Sequence, residues 1–542
     1  METKVNYQKI RMISLSVLEE TLNARLTDLT ITFRSASNND VGLLQIFVMN
    51  LKERLALDIY EQEISIDETL DQILSGIVRF MRRCREGDNE EAKPTASIER
   101  SERPKVLVTA NRYSYLSKMG LEANSWVLRT EVFIVEGSRD VVYLDSEFES
   151  LVSRHDGLRL SLKFDAGRWT QYVKSRNTDV THLLYEGILG DESYSNYLTG
   201  AIEGIRSTMT YDDRNLAFLT IVDNANCRFH VVVLYHHCLM DGLSLIAFER
   251  ELLSLLSRAG GKQTYASGPY RSFCLSYDRR CEEMIDAGER YWSGLPWNCV
   301  RPTPCEIEGG RGDLDHRWTV EKERRYTGQS FESAVKGLAR AGRAPMVAYI
   351  LASLAEAYGE WTGNEYLLLG LAHHGRPSYT NEFIETIGWF TETVPVLVPT
   401  RVSTCEALEA IEYQRSRIGT LGDLYGYCRY LTKNVVTRTT FGAHPEPDIS
   451  MNIGLNYRFS STSIEVKRYQ LSPMQLKGRR VHLISLGVGR KGKHFRLSMD
   501  YNSHALSGDR IDSLLSLWET ALVGNIERAS GCSLSSEKLS GQ

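Results

Sequence analysis

Residues 229–246 read Phe-His-Val-Val-Val-Leu-Tyr-His-His-Cys-Leu-Met-Asp-Gly-Leu-Ser-Leu-Ile. The apolar run Phe229–Tyr235 has the length and β-branched content of a buried strand, and Leu243–Phe248 opens a helix-like pattern. Between them a tight loop receives two histidines, His236 and His237, followed by Asp241 and Gly242. Asp ties down turn backbone and Gly accepts conformations that other residues avoid. Imidazole exchanges protons near neutral pH, so a pair at this junction is a candidate general base. A histidine beside a strand can equally be a hydrogen-bonded core residue. A metal site would need further ligands at matched spacing, and neither His-Glu-x-x-His nor Cys-x-x-Cys occurs in the chain.

The pattern His-His, three residues, Asp-Gly resembles the active-site motif of nonribosomal peptide synthetase condensation domains and related acyltransferases. Other segments match that family in order. Arg154-His155-Asp156-Gly157-Leu158-Arg159 is similar to its early Arg-His-acidic-x-Leu-Arg segment, and Tyr270-Arg271-Ser272-Phe273 and Tyr291-Trp292 to the next two elements. Leu368-Leu369-Gly370, Gly375-Arg376-Pro377, Ile387-Gly388-Trp389-Phe390-Thr391-Glu392-Thr393-Val394-Pro395 and Pro447-Asp448-Ile449-Ser450-Met451-Asn452 resemble segments of its second lobe. An ordered series is far more specific than one motif. The chain departs at Ser272, where an acidic residue is usual, at Glu392, where Asn is usual, and at Met451-Asn452-Ile453, where Phe-Asn-Tyr is usual. These departures bear on substrate choice.

The resemblance implies an α/β fold of two chloramphenicol-acetyltransferase-like lobes in a V with a central tunnel. Strand-like runs at Trp126–Ile134, Ala217–Val222 and Phe229–Tyr235 alternate with helical runs at Ser244–Ser257 and Ser333–Tyr358, which agrees with layered α/β architecture. The expected lobes are 105–285 and 286–542. Residues 86–104, charged and punctuated by Gly and Pro, read as a linker. Residues 1–85 read as a small helical bundle, with apolar spacing over 12–26 and 40–55 and a further helix starting near Ile66. This all-α bundle resembles a carrier protein most clearly over Asp40–Ile59. A working carrier presents Asp-Ser-Leu where this chain has Asp40-Val41-Gly42, and valine offers no oxygen for a phosphopantetheine arm. A docking element for a synthase and a lid packed on the body are the uses considered, alongside a bundle unrelated to carriers.

The 542 residues suffice for three compact units. Lys and Arg total 64 against 69 Asp and Glu, so no basic surface argues for nucleic acid. Ten cysteines without paired spacing suit reduced thiols. No apolar run approaches the ~18 residues of a membrane span, and the start lacks a signal-peptide core. A cytoplasmic protein without membrane or nucleic-acid partners is expected.

By resemblance, His237 is the catalytic residue. His236 is structural, Asp241 pairs with Arg376, and Gly242 allows close backbone approach, with an amide available to a developing oxyanion. Cys238, His374, Trp389, Glu392 and Asn452 are candidate tunnel or substrate-lining positions, although Cys238 can also pack inward as a small hydrophobe. His373-His374 has no Asp-Gly after it and reads as loop or tunnel wall. No metal and no covalently bound cofactor is expected; the phosphopantetheine arm of a partner carrier protein arrives as part of the donor. The expected activity is acyl or peptidyl transfer from a carrier thioester in trans to an amine or hydroxyl. A non-catalytic recruitment module and an acyl-CoA-dependent acyltransferase are the alternatives. The Asp-Phe-Gly-Trp-Gly signature of one CoA-dependent family is absent.

Overall fold

The computed structural model describes residues 7–22, positions within 26–32, 47 and 69–77, and residues 105–530 outside 107, 120–127, 137–140, 166–167, 176–179, 185–191, 212–213, 224–227, 257–267, 327–345, 378–381, 455–464, 469–478 and 492–493. Near the N-terminus, α1 (Tyr7–Leu22) buries Val17 and Leu18, and Leu70, Ile73, Leu74 and Ile77 are also buried. Arg11 on α1 reaches Asp71 at 2.5 Å. The expected linker 86–104 and, apart from Phe47, the carrier-like register 40–59 lie outside the described residues.

The described strands form three sheets. A small antiparallel one runs β1 (Lys105–Val106), β4 (Arg168–Val173), β3 (Leu160–Asp165). The second runs β12 (Glu465–Arg468), β2 (Leu128–Glu136), β7 (Arg228–His236), β6 (Leu216–Asp223), β5 (Val180–Leu184), with only the β5–β6 pair parallel. The third runs β10 (Glu392–Pro399), β9 (Tyr366–His373), β11 (Ile449–Gly454), β13 (Ile484–Lys491), β14 (His494–Asn502), β8 (Thr319–Tyr326), with β11 parallel to both neighbours.

The continuous apolar run of β7 has a direct cause. Side chains alternate across a strand, and both faces of this one are covered. Phe229, Val231, Val233 and Tyr235 enter one core with α2 (Ala110–Met119), α3 (Val141–Arg154), α5 (Gly242–Leu256) and α6 (Tyr270–Ser293). Val232 and Leu234 enter another, against α4 (Glu192–Arg206). In the third sheet, Leu367, Leu369 and Leu371 of β9 and Val394, Val396 and Val398 of β10 share one large core. That core also takes in α7 (Met346–Thr362), α8 (Thr404–Gly426), α9 (Val435–Gly442) and α10 (Gly508–Ser530).

Element ends follow local chemistry. The expected helix from Ser244 begins at Gly242, because the Asp241 carboxylate accepts the Ser244 N–H at 2.8 Å and caps the first turn. The expected helix ending at Tyr358 continues to Thr362 and stops before Gly363, whose φ is 79°. Its expected beginning, 333–345, lies outside the described residues.

Three features tie the two lobes together. Helix α6 serves both cores: Tyr270, Phe273, Cys274, Tyr277 and Cys281 belong to the first, Trp292 to the second, and Ile285 touches both. The expected boundary at 285/286 therefore falls inside one continuous helix. Phe383, Ile387, Trp389 and Phe390, which precede β10, are buried in the first core, and β12 joins the edge of the second sheet, Glu465 opposite Ile134.

Gly157 marks how closely the lobes meet. A Cβ there would lie 1.9 Å from the Ile387 carbonyl oxygen, and backbone cannot swing aside as a side chain can. Gly157→Ala is expected to destabilise by about 1–3 kcal/mol through overpacking, whereas Gly200→Ala on α4, with nothing within 4 Å, should stabilise by about 0.5–1 kcal/mol. Thermal unfolding of the pair checks this; equal midpoints would contradict the contact.

Candidate active site

Strand β7 ends at His236, and His237 begins a one-turn 3-10 segment, His237–Leu239. His236 is 1% exposed, its ring centroid is 4.1 Å from that of Tyr211, and its Nδ1 accepts the Cys238 N–H at 3.4 Å. It thus holds the turn, as expected. His237 is half-buried, with Nδ1 3.0 Å from the Met240 carbonyl. A carbonyl only accepts, so Nδ1 carries the hydrogen and Nε2 is left as the basic nitrogen. The Trp389 ring lies 4.9 Å from the His237 ring and Tyr115 meets it edge-on at 6.5 Å. An imidazole with a basic Nε2 and two aromatic neighbours therefore come from three separate parts of the chain.

Asp241 is a hub. Its Oδ1 accepts the Ser244 N–H; its Oδ2 accepts the backbone N–H of Phe390 at 3.0 Å and of Thr391 at 3.1 Å, and the Thr391 hydroxyl at 3.3 Å. Arg376 approaches it at 3.2 Å, and both side chains are almost wholly buried. Burial alone would raise the Asp241 carboxyl; the Arg376 charge and the Ser244 and Arg376 hydrogen bonds outweigh it and hold it below the usual range. Arg376 also donates to Ser244 Oγ at 2.9 Å and to the Thr386 carbonyl at 3.2 Å, and stacks 4.1 Å over Phe390. The preceding turn needs glycine at Gly375, where φ is 67° and a Cβ would sit 1.7 Å from the Phe390 carbonyl oxygen.

Gly242 requires a correction. Nothing lies within 4 Å of a Cβ built there, and the residue is exposed, so close backbone approach is not why it is glycine. Cys238 is also reassigned from the candidate lining. It is wholly buried in the first core and burial lifts its thiol to about 12, so it packs and does not react. Asn452 is exposed on β11 opposite Gly487 and makes no described contact with the His237 loop. His374 Nδ1 accepts the Arg376 N–H at 3.1 Å; burial and then the Arg376 charge push its pKa down to about 3, so it is a neutral support for the turn. Trp389 flanks His237 directly, its indole N–H donating to the Thr391 carbonyl at 3.1 Å. Glu392 is 4% exposed at the start of β10, and burial, then the nearby Asp423, raise its carboxyl well above the ordinary value.

The early Arg154–Arg159 segment is scaffolding. His155 and Arg154 both meet Glu251, at 2.9 and 3.1 Å. Asp156 accepts the N–H groups of Tyr270 and Arg271 at 2.7 and 2.9 Å, capping the start of α6. The Tyr270 hydroxyl in turn donates to the Trp389 carbonyl at 2.7 Å.

Arg112 was not anticipated. It is 0% exposed, donates to the Cys238 carbonyl at 2.5 Å and to Gln171, and so supports the histidine turn from beneath. Tyr115, likewise unanticipated, packs 4.7 Å from Trp389. No local pattern marks either residue, because their partners lie far away in sequence. Among the described residues there is no cluster of three or more His, Cys, Asp or Glu that could hold a metal ion, and no helix long and apolar enough to cross a membrane.

A family model described as Condensation domain matches residues 106–528. A linear gramicidin synthase polypeptide of Brevibacillus parabrevis is 23% identical over 327 residues, 58% of this chain but 6% of that protein, so the chain spans a small part of the relative's length. Among solved structures, the epimerization domain from the third module of tyrocidine synthetase B superposes with a TM-score of 0.65 at 18% identity, covering 79% of this chain and 98% of that one. A structure described as the molecular basis for condensation domain-mediated chain release from the enacyloxin polyketide synthase superposes at 0.59 with 15% identity, covering 86% and 90%. These likenesses establish the mixed α/β fold.

Proposed function

The chain belongs to the condensation-domain family, and from that premise we propose that it transfers an acyl or peptidyl group from a carrier-protein thioester, supplied in trans, to an amine or hydroxyl. The observation that carries the reading is the His237 ring, whose Nδ1–H is spent on Met240 so that Nε2 is the basic nitrogen. A thioester is already activated, so holding it beside the nucleophile supplies much of the acceleration. His237 takes the proton of the amine or hydroxyl as its nitrogen or oxygen bonds to the acyl carbon; the C–S bond breaks, and the pantetheine thiolate takes that proton and leaves as the thiol, restoring His237. The exposed Gly242 amide, at the first turn of α5, is the donor we assign to the developing oxyanion. Asp241 and Arg376 touch no reacting atom in this scheme; they fix the turn that carries His237.

On this reading the protein binds no cofactor of its own, and the phosphopantetheine arm enters with the donor. Residues 1–85 are proposed as a docking element for a synthase, in a cytoplasmic setting among nonribosomal peptide or hybrid polyketide enzymes. The test is product mass across acyl-carrier and acyl-CoA donors against amine and alcohol acceptors. Carrier-dependent product is the expected result and shows whether nitrogen or oxygen is acylated. Product from CoA donors alone would replace the carrier by CoA, and carrier binding without any product would make this a recruitment module.

A further inference from the structure

We propose that Glu392 binds a primary ammonium group of a substrate in a small acidic recess beside the His237 loop; its place in turnover rests on the acyl-transfer reading above, the binding itself does not. The recess is walled by Tyr277, Arg280, His373, Gly375, Glu392 and Asp423 and has a volume of about 30 Å³. One water needs roughly 10–15 Å³, so a head group fits and a whole substrate does not.

The hydrogen bonds on its wall are not all made. Arg280 is committed to Asp423 and to the Thr420 carbonyl. Arg376, also on the wall, is committed to Asp241, Ser244 and the Thr386 carbonyl. Glu392 is left with no described cation, and its buried Oε1 has no hydrogen-bond partner among the described residues. A buried polar atom in that state demands an explanation. Both guanidinium groups being engaged, a ligand ammonium is the group that supplies the missing donors and, once the carboxyl ionises, its countercharge. With the recess empty, burial and then the nearby Asp423 raise the Glu392 carboxyl well above its ordinary value and so favour its neutral form. When an ammonium enters, the carboxyl proton leaves to solvent and an ion pair takes its place.

Helix α2 links the recess to the His237 loop. Glu392 Oε2 and the Ala110 Cβ both approach the same point beside Gly426, at 3.9 and 2.9 Å from a Cβ built there. Tyr115, five residues along α2, faces Trp389 and His237. At ~1.5 Å per residue, Ala110 and Tyr115 are about 7–8 Å apart along the helix. The ligand class is therefore an acceptor or an acyl group that carries a primary ammonium on a short chain.

The first measurement is calorimetry of the full chain near pH 6 with 1,5-diaminopentane, in buffers of different ionisation heat, against 1,5-pentanediol. Binding at least tenfold tighter than the diol is expected, with release of up to one proton. Glu392→Gln, which keeps the shape and the neutral state, should lose both the preference and the proton release. Equal affinity for diamine and diol, or unchanged behaviour in Glu392→Gln, overturns the proposal. Turnover then assigns the source. The native protein should favour 1,5-diaminopentane over pentylamine as acceptor, or a 6-aminohexanoyl over a hexanoyl carrier donor, at least tenfold in kcat/KM, and the ratio should fall to about one in the variant. Glu392-dependent binding with no turnover of any pair would sink the acyl-transfer reading and leave the subsite standing. Turnover without the binding preference would do the reverse.

Discussion

His237→Ala is expected to lower kcat/KM for acyl transfer by about 10²–10⁴-fold, the range supplied by a positioned general base, while the fold survives. The bond to the Met240 carbonyl and the ring contacts with Trp389 and Tyr115 are lost, and the residue is half-buried. Removal of one ordinary hydrogen bond costs about 1 kcal/mol. His236→Ala makes the informative contrast. It empties a wholly buried site against Tyr211 and leaves the Cys238 N–H without its acceptor, so its loss should appear in the unfolding midpoint as well as in activity. The pH profile separates base from anchor. If His237 accepts the proton, the native enzyme loses activity as imidazole protonates, and whatever rate remains in the alanine variant lacks that acid limb. An acid limb retained in the variant, or native activity in it, would remove His237 from proton transfer.

Much of the first lobe was legible because its signals are local. The run Phe229–Tyr235 is apolar at every position except His230, as a strand covered on both faces must be, and both cores claim its alternate residues. The Asp241–Arg376 pair was implied by resemblance and is present at 3.2 Å. What sequence could not show is long-range. Arg112 reaches the Cys238 carbonyl across 126 residues, and nothing within α2 marks it apart from a solvated arginine. The lobe boundary is expected between 285 and 286. Physically, α6 is one 24-residue helix whose buried positions belong successively to two cores. The close backbone approach implied for Gly242 by resemblance is not found, because the space around it is open.

The larger structural effect is expected at Asp241. Asp241→Ala should destabilise the protein by about 3–5 kcal/mol, because it leaves the Arg376 guanidinium charged and buried without its partner. It also strips acceptors from the N–H groups of Ser244, Phe390 and Thr391, which lie on the two sides of the lobe contact. Asp241→Asn keeps one acceptor oxygen and the side-chain shape but removes the charge, so it should fall between native and Ala. Adding Arg376→Met to Asp241→Ala is expected to recover part of the stability, since the unpaired charge goes, yet not the activity, since the turn bearing His237 stays unanchored. A double-mutant cycle by chemical unfolding measures the coupling. Strict additivity would mean the pair is not an energetic unit. The pH dependence has a definite sign. Asp241 is held below its unfolded value, so its contribution is present above the unfolded carboxylate pKa and is lost as pH falls through the folded one. The native protein should therefore lose more stability on acidification than Asp241→Asn does. A variant that acid-unfolds in parallel with the native chain would show that the charge of Asp241, as distinct from its oxygens, does not hold the lobes together.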